Sequence, residues 1–546
     1  MPGDAAGAMD TRLESHFNDR VVRCFTQRPA DVNQMWRDAA RRQPEAEAVV
    51  CGERRLSWAE LEDQVMRTAA GLQVMGVSPG DRVALLLGNG IEFVIASLAV
   101  QAAGAVLVPL SIREQTPGLA YVLNHCSASV LISDAVLRDR WPTPSETPAL
   151  KHRVLVGVPP EHALSFERLM AQVPLAGCVP VEEDGVAVIM YTSGTTGFPK
   201  GAMLTHLNLV HSVLHYAQAL SLEPGVRGAV VVPLSHVTGL VGLMMVTLGL
   251  GGTLLVVPAF KAADFLRFAA RERMGFTLMV PAMYNLCLLQ DDFATHDLSA
   301  WHVGGYGGAP MPPATIDRLA HQLPALRLSN CYGATETASP ATIMPAHLTR
   351  EHLDSVGLPL ACAEVAVMDE QGVELPRGEV GELWLKGPMV VKGYWSNAQA
   401  TAENFISGFW RSGDIGSVDA EGFVRVLDRR KDMLNRGGYK IFSVEVENVL
   451  CQHPDVLEAA VVAKSCPVLG ERVHVFVAAR EGHTLQAEAL RAFCAERLSD
   501  YKVPESYSLG SEPLPRNANG KLMKRVLRER LQSETGLAAR TPRRTA

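Results

Sequence analysis

The alternation of strand-like and helix-like segments is the feature that most constrains how this chain can fold. Residues 81–87 (DRVALLL) form an apolar run typical of a buried strand, residues 91–105 have a helical pattern, and VLVPL follows as a second strand. The same alternation returns at residues 185–191, 206–220, 229–234, 253–258 and 276–281. Strands linked by helices predict a parallel sheet. We therefore predict an α/β fold with a large N-terminal domain of parallel and mixed sheets flanked by helices.

A second domain is predicted because 546 residues exceed what one compact unit usually holds. The pattern changes near Phe423, where a strand, a charge run at residues 428–432 and a glycine pair follow one another. A short helix, the alternating strand RVHVFVAA and another helix come next. We predict a large domain over residues 1–428 and a small α+β domain over residues 429–546, with the charge run as linker.

Composition and charge argue against several classes of protein. The formal net charge of −7 does not favour a nucleic-acid partner. The ten cysteines show no CxxC spacing, which argues against a zinc site or a disulfide framework and favours a cytoplasmic location. The N-terminus lacks the pattern of a secretory signal. Residues 239–257 are uncharged, but glycines interrupt them, so we predict a buried helix, a turn and a strand rather than a transmembrane segment.

The segment YTSGTTGFPKGAMLTH, residues 191–206, lies between a predicted strand and a predicted helix. It is not a Walker A loop, because Phe198 and Pro199 separate the second glycine from Lys200. Its glycines nevertheless allow several amides to face one anion, and its hydroxyls and lysine add donors. A Ser/Thr/Gly surface linker is the alternative. The predicted phosphate-binding residues are Thr192, Ser193, Gly194, Thr195, Thr196, Gly197 and Lys200.

This segment resembles the phosphate loop of the adenylate-forming enzymes, which include acyl-CoA and aryl-CoA synthetases. Further motifs of that family follow in the same order: VGGYGGAPMP (303–312), CYGATET (331–337), WRSGDIG (410–416) and PRNANGKLMKR (515–525). Each motif alone is modest, but their common order is specific. The resemblance implies an ATP-dependent acid–thiol ligase with a small, mobile C-terminal domain. Such an enzyme converts a fatty or aryl acid into acyl-AMP, releases pyrophosphate and transfers the acyl group to coenzyme A.

The resemblance also implies roles for single residues in adenylation. Thr335 would bond the α-phosphate and Glu336 would hold Mg²⁺, which prefers oxygen ligands. Asp414 would accept from the ribose hydroxyls with help from Arg429, and Lys521 would bond the substrate carboxylate. The residues implied at the adenine ring are Gly308, Ala309, Pro310 and Tyr332, and Gly333 is implied as a further cofactor-binding residue.

The remaining implied roles concern the acyl group and the thiol. His236 lies where acyl-CoA and aryl-CoA ligases carry a histidine that gates the acyl tunnel. Lys431 lies at the family's hinge between domains, and Gly437 and Gly438 would lie beside the pantetheine arm of coenzyme A. Ser443 replaces a proline found in many relatives, and we expect it to cap the next helix.

Taken singly, these residues have simpler interpretations. Asp414 could be a turn residue, Glu336 a helix-start acid, Lys521 a hairpin charge and His236 a packed core histidine. Two other functions also stay open at this stage. The acceptor could be the pantetheine of a carrier protein, or the protein could be a nucleotide-binding scaffold without turnover. A homodimer is also left open.

Overall fold

The structure is a computed structural model that describes residues 9–157, 164–192, 199–516 and 522–538. The chain divides by its internal contacts into two compact units, which are described separately. The first comprises Met1–Ala366, Trp384–Arg411 and Asp419–Val424, and the second comprises Val367–Leu383, Ser412–Val418 and Arg425–Ala546. The domain boundary predicted between residues 428 and 429 stays a prediction.

The α-helices of the described chain are numbered in order. They are α1 (Val32–Arg42), α2 (Trp58–Val74), α3 (Ile91–Ala102), α4 (Thr116–His125), α5 (Phe166–Met170), α6 (His206–Ala219), α7 (Val246–Gly249), α8 (Ala262–Arg271), α9 (Pro281–Leu288), α10 (Pro313–Gln322), α11 (Ala398–Asn404), α12 (Ser443–Leu450), α13 (Ala487–Ala495) and α14 (Lys524–Ala538).

The strands are numbered in the same way. The first eighteen are β1 (Thr11–His16), β2 (Arg20–Phe25), β3 (Glu47–Cys51), β4 (Arg54–Ser57), β5 (Arg82–Leu86), β6 (Val106–Pro109), β7 (Val130–Asp134), β8 (His152–Val156), β9 (Leu164–Ser165), β10 (Val186–Thr192), β11 (Lys200–Thr205), β12 (Arg227–Val230), β13 (Thr253–Val256), β14 (Phe276–Met279), β15 (Val303–Tyr306), β16 (Arg327–Tyr332), β17 (Thr342–Ile343) and β18 (Leu358–Pro359). The others are β19 (Glu364–Met368), β20 (Gly381–Lys386), β21 (Phe405–Ile406), β22 (Phe409–Val418), β23 (Val424–Arg429), β24 (Leu434–Arg436), β25 (Tyr439–Ile441), β26 (Val456–Cys466), β27 (Gly470–Ala479) and β28 (Ser506–Gly510).

Two large sheets form the frame of the first unit. One has the order β11-β10-β6-β5-β7-β8-β9, and all its neighbouring strands run parallel except β10 and β11. The other has the order β18-β17-β16-β15-β14-β12-β13-β3-β4, with a parallel centre and antiparallel pairs at both ends. A separate hairpin of β1 and β2 precedes them. The predicted α/β class with parallel and mixed sheets is confirmed.

The helices between these strands follow the sequence pattern closely. Helix α2 begins with a capping box: the Ser57 hydroxyl accepts from the Glu60 amide, and the Glu60 carboxylate accepts from the Ser57 amide. Helix α3 is apolar on all sides and is buried along almost its whole length, as such a composition requires.

The uncharged segment at residues 239–257 forms a buried helix, a turn and strand β13, as predicted. Its helix begins as a π-helix, Thr238–Met245, and continues as α7. Among the residues that the structure describes, no helix combines the length and the apolar character that crossing a membrane would need.

The second unit is an α+β unit. Its sheet has the order β25-β24-β27-β26, with β28 parallel to β27, and the apolar faces of α12 and α13 pack against it. Leu527 and Leu531 of helix α14 pack with Ala460, Val462 and Phe476 in a smaller apolar cluster. The small α+β domain expected from the sequence thus has its own apolar core.

Candidate active site

The carboxyl edge of the parallel strands β12, β14, β15 and β16 gathers most of the predicted site residues in the first unit. The strands are direct neighbours, and Tyr306 at the end of β15 pairs with Asn330 near the end of β16. In open α/β sheets, ligands bind at this edge. The predicted residues that follow these strands are His236 after β12, Gly308, Ala309 and Pro310 after β15, and Tyr332, Gly333, Thr335 and Glu336 at and after the end of β16.

A tight turn follows β16 and presents Thr335 and Glu336. Residues Thr335–Thr337 form one turn of 3₁₀-helix, and Ala338 and Ser339 have φ values of 46° and 97°. Such values are costly for residues with side chains and often occur at functional sites. A Cβ atom on Gly333 would lie 1.6 Å from the Ser339 carbonyl oxygen. This position therefore requires glycine.

Glu336 is held through both its side chain and its backbone by one segment, residues 391–394. The Tyr394 hydroxyl donates to the Glu336 carboxylate at 3.0 Å, and the Val391 amide donates to the Glu336 carbonyl at 2.9 Å. Burial, and then the negative charge of Glu336, raises the pKa of Tyr394, so the phenol stays protonated as a donor. Sequence reasoning assigned no role to Tyr394, because nothing in the surrounding residues indicates a contact with Glu336, 58 residues earlier in the chain.

Strands β10 and β11 form the base of the predicted phosphate loop, where Thr192 pairs with Lys200. The predicted contacts of Ser193, Gly194, Thr195, Thr196 and Gly197 lie outside the described residues. The same segment that holds Glu336 also pairs with β11, because the Trp395 amide donates to the Gly201 carbonyl at 2.7 Å. In addition, the Lys200 ammonium lies 5.0 Å from the centre of the Tyr394 ring. The loop base and Glu336 are therefore joined through residues 391–395.

Helix α4 holds both ends of the loop. Nδ1 of His125 and the Tyr191 hydroxyl are 2.8 Å apart, and the Tyr121 hydroxyl donates to the Pro199 carbonyl at 3.0 Å. Burial lowers the pKa of His125. Sequence reasoning missed this contact, because nothing near residues 116–125 indicates that the helix touches a loop about seventy residues later.

His236 is half-buried just before the π-helix Thr238–Met245. Its Nδ1 accepts a long hydrogen bond of 3.4 Å from the Thr238 amide, and its carbonyl accepts from Leu240 at 2.9 Å. These contacts fix the ring at the start of that helix. The gating role predicted for His236 stays a prediction.

The second unit brings Asp414 and Arg429 together, as expected from their shared role. Nε of Arg429 lies 2.6 Å from the Asp414 carboxylate, which is almost fully buried. Asp414 lies within strand β22, so the alternative that it is a turn residue is wrong. Its amide donates to the Ser412 hydroxyl at 2.9 Å, which fixes the carboxylate further.

Gly437 and Gly438 form the two-residue turn between β24 and β25. Their φ values are 60° and 92°, and the Asn435 side chain accepts from the Gly438 amide at 3.0 Å. A turn of this kind selects glycine by itself. Their predicted contact with the pantetheine arm stays a prediction.

Lys521, the predicted catalytic lysine, lies outside the described residues, but the chain on its two sides is described. Arg516 and Leu522 form an antiparallel bridge, and the Met523 amide donates to the Pro515 carbonyl at 2.8 Å. Lys431, the predicted hinge, is exposed, and its carbonyl accepts from Arg528 at 3.1 Å.

These features are those expected of a nucleotide-binding α/β enzyme, with the Glu336 carboxylate joined to the base of the predicted phosphate loop through residues 391–395. The sequence matches AMP-binding enzymes over residues 36–395 and the AMP-binding enzyme C-terminal domain over residues 445–521. It is 36% identical over 492 residues to a feruloyl-CoA synthase of Amycolatopsis, covering 90% of this chain and 97% of that protein. It is 34% identical to a 2-succinylbenzoate–CoA ligase of Bacillus licheniformis, covering 89% and 97%.

A solved structure supports the same assignment. The o-succinylbenzoate CoA synthetase of Bacillus subtilis, in complex with its acyl-adenylate intermediate, superposes with a TM-score of 0.81 and 28% identity, over 90% of this chain and 97% of that one. The chain belongs to the AMP-binding enzyme family. It is an acyl-CoA synthetase: it activates a carboxylic acid as acyl-AMP at the expense of ATP and then transfers the acyl group to coenzyme A.

Proposed function

We propose that the acid is an aryl acid of the benzoate or hydroxycinnamate type. Two of the relatives described above are named for aryl acids, feruloyl and succinylbenzoate. The observation that carries the proposal is the aromatic packing against strand β15. Tyr284 is fully buried, stacks on Trp301 with ring centres 5.9 Å apart, and donates its hydroxyl to the Gly305 carbonyl at 3.0 Å.

We infer that this packing would limit the depth of an acyl site at the end of β15, which favours a short, rigid acyl group over a long alkyl chain. Phe265 packs edge-on against Trp301 at 6.1 Å, so three aromatic rings fill the interior next to β15. A Cβ atom on Gly305 would lie 2.0 Å from Leu278, and one on Gly304 would lie 2.9 Å from the Tyr284 hydroxyl. A long chain entering here would have to displace this core, which is costly in a close-packed interior.

The residues near Glu336 fit Mg²⁺. The cation prefers oxygen ligands and usually takes one or two carboxylates together with substrate phosphates. Glu336 offers a carboxylate that Tyr394 already orients, and Thr335 offers a hydroxyl one residue away. Glu336 would hold the cation, which would neutralise charge on the phosphates. Thr335 would bond the α-phosphate, and Tyr332, Gly308, Ala309 and Pro310 would surround the adenine ring.

Three further residues have proposed roles in the reaction: Asp414, Arg429 and Lys521. Asp414, fixed by Arg429, would accept from the ribose hydroxyls. Lys521 would neutralise the developing charge between the acid and the α-phosphate during adenylation. The family resemblance further supports a hinge at Lys431 between domains 1–428 and 429–546, and a pantetheine path along Gly437 and Gly438. His236 would gate the acyl site.

A cytoplasmic location is supported by the cysteines. All ten lie in the described part of the chain, and none is paired in a disulfide. The oligomeric state, for which a homodimer is one option, can be measured by light scattering.

A pyrophosphate-release screen tests the choice of acid. Purified protein with ATP and Mg²⁺ is given aryl, medium-chain, long-chain and dicarboxylic acids at equal concentration. We expect kcat/KM to be highest for an aryl acid, by at least about tenfold, since fitting a pocket of the wrong size costs about 1–3 kcal/mol. A long-chain fatty acid that outperforms every aryl acid would contradict the proposal.

A further inference from the structure

We propose that the N-terminal hairpin, strands β1 and β2 with the turn between them, braces Glu336, and that Arg20 is its positioning residue. The hairpin lies before residue 36, where the match to AMP-binding enzymes begins. The inference rests on the proposed role of Glu336 as the magnesium ligand. It adds a function for a segment outside the matched family region.

The hairpin is anchored by hydrogen bonds and by the ion pairs of Arg28 to the residues that lead into strand β10. His16 lies 2.8 Å from the Asp184 carboxylate, which also accepts from the Phe17 amide at 2.9 Å. Arg28 joins Glu14, at 2.7 Å, to Glu183, at 2.6 Å. The hydrogen bond from Arg28 is the main reason that the pKa of Glu14 falls to about 2, so this pair stays ionised at neutral pH.

Arg20 extends from this anchored hairpin into the protein. Its side chain is 2% exposed, and its guanidinium donates to the carbonyls of Val391 at 2.7 Å and Lys392 at 2.8 Å. The rings of Phe17 and Phe405 each lie 5.2 Å from the guanidinium carbon. Charge-assisted hydrogen bonds and two ring faces thus replace the water that this cation loses.

Burying the Arg20 side chain costs free energy, because the guanidinium loses its contacts with water. The carboxylate of Asp19 approaches it at 3.3 Å, but Asp19 is 67% exposed and therefore compensates the buried charge weakly. Removing a cation from water costs several kcal/mol in real proteins. An apolar side chain would fill this space equally well. We therefore infer that the role of Arg20 is to fix the backbone positions of residues 391 and 392.

Residues of the same segment contact Glu336 directly. The amide of Val391 donates to the Glu336 carbonyl, and the hydroxyl of Tyr394 donates to its carboxylate. Phe405, which packs on Arg20, also packs edge-on against Tyr394 at 5.5 Å. Backbone and carboxylate of Glu336 therefore both depend on a segment that Arg20 holds. Groups that orient a metal ligand in this way typically change metal affinity by about 10- to 100-fold.

Isothermal titration calorimetry of ATP binding tests the brace. No carboxylic acid substrate is added, so no turnover occurs. Arg20→Met and Tyr394→Phe should each weaken binding of ATP in the presence of Mg²⁺ by about tenfold or more. Binding of ATP in EDTA should change much less, because the defect lies in the cation's ligand. Arg23→Met is the matched control: it lies on the same hairpin with its side chain exposed, and both affinities should stay at the wild-type value.

The variant Glu336→Gln distinguishes the proposed role of Glu336 as the magnesium ligand from the proposed brace by Arg20. If this variant binds ATP and Mg²⁺ as the wild type does, the proposed role of Glu336 fails. If it weakens binding while folded Arg20→Met and Tyr394→Phe do not, the brace is overturned and the role of Glu336 stands. Melting curves show which variants fold. Should Arg20→Met not fold, Tyr394→Phe decides, since a carboxylate independent of residues 391–394 would bind Mg²⁺ and ATP unchanged.

Discussion

At the residue scale, Gly333 shows how closely the turn that carries Thr335 and Glu336 is packed. A methyl group at this position would overlap a backbone carbonyl, which cannot swing aside as a side chain can. We expect Gly333→Ala to destabilise the protein by at least about 1–3 kcal/mol and to lower adenylation. Urea unfolding measures the first and pyrophosphate exchange the second.

Gly177→Ala is the control for this substitution. A Cβ atom there meets nothing within 4 Å, so its stability should be unchanged or slightly higher. Equal stability of the Gly333→Ala and Gly177→Ala proteins would show that the turn after β16 can adapt, against our account.

Lys521 is also tested at this scale, through the two half-reactions. Lys521→Ala should abolish acyl-AMP formation, because the ammonium group proposed to offset the charge that develops between the acid and the α-phosphate would be lost. Thioester formation from supplied acyl-AMP and coenzyme A should be spared. Rapid-quench assays of each half-reaction measure both, and an equal loss in the two would refute this role. Lys524→Ala, three residues further on, is not a suitable control, because Lys524 pairs with Glu447.

Site residues were predictable where a motif places them near one another in the chain or at neighbouring strand ends. The grouping of Tyr332, Thr335 and Glu336 follows from their position after β16, and the proximity of Asp414 and Arg429 was expected from their shared role. Contacts such as Arg20 with Val391, 371 residues apart, leave no local signal. They become visible only when the fold brings distant segments together.

At the scale of elements, the buried histidines of helix α6 lead us to predict that the folded protein loses stability in acid. His206 and His211 are buried in it, and burial lowers the pKa of each to about 4. His206 accepts from the Val32 amide at 3.4 Å, and His211 from the Phe25 amide at 3.2 Å. Protonation of these acceptor nitrogens would break both bonds, which tie earlier segments of the chain to the helix.

The sign of the pH dependence follows from these pKa values. Unfolded histidines take up protons as the pH falls through about 6.5, whereas the folded ones stay neutral until about pH 4. The stabilisation is therefore complete above about pH 6.5 and is lost toward pH 4. Urea unfolding should show the free energy of unfolding falling by up to about 1.4 kcal/mol per pH unit for each histidine. His211→Gln should reduce this slope, and His302→Asn, at an exposed position, should not; equal slopes would contradict the assignment.

The helices and strands were predictable from local sequence patterns, whereas the residues at which they begin and end were less predictable. The buried helix, turn and strand predicted at residues 239–257 formed as expected. The cap predicted for α12 was wrong: Ser443 is the first residue of the helix, and the Asp428 carboxylate accepts from its amide. The Ser443 hydroxyl instead links Asp428, at 3.0 Å, to Lys524, at 2.6 Å. Its partners come from other elements, so its neighbours in sequence could not indicate them.

At the scale of the whole molecule, the proposed alternation of the two domains serves the two half-reactions in turn. Lys431→Pro should stiffen the predicted hinge. We expect it to slow thioester formation much more than adenylation, with Lys431→Ala as the control for loss of the side chain alone. Single-turnover assays of the two steps measure this, and an unchanged rate of thioester formation would contradict domain alternation.

The most direct test of the central claim follows the acyl group itself. Purified protein is mixed with ATP, Mg²⁺ and a hydroxycinnamic acid, and the products are identified by mass spectrometry before and after coenzyme A is added. We predict acyl-AMP and pyrophosphate first, and then acyl-CoA and AMP in equal amounts. A preparation that forms no AMP with any acid, or whose acyl-AMP never reacts with coenzyme A, would contradict the account.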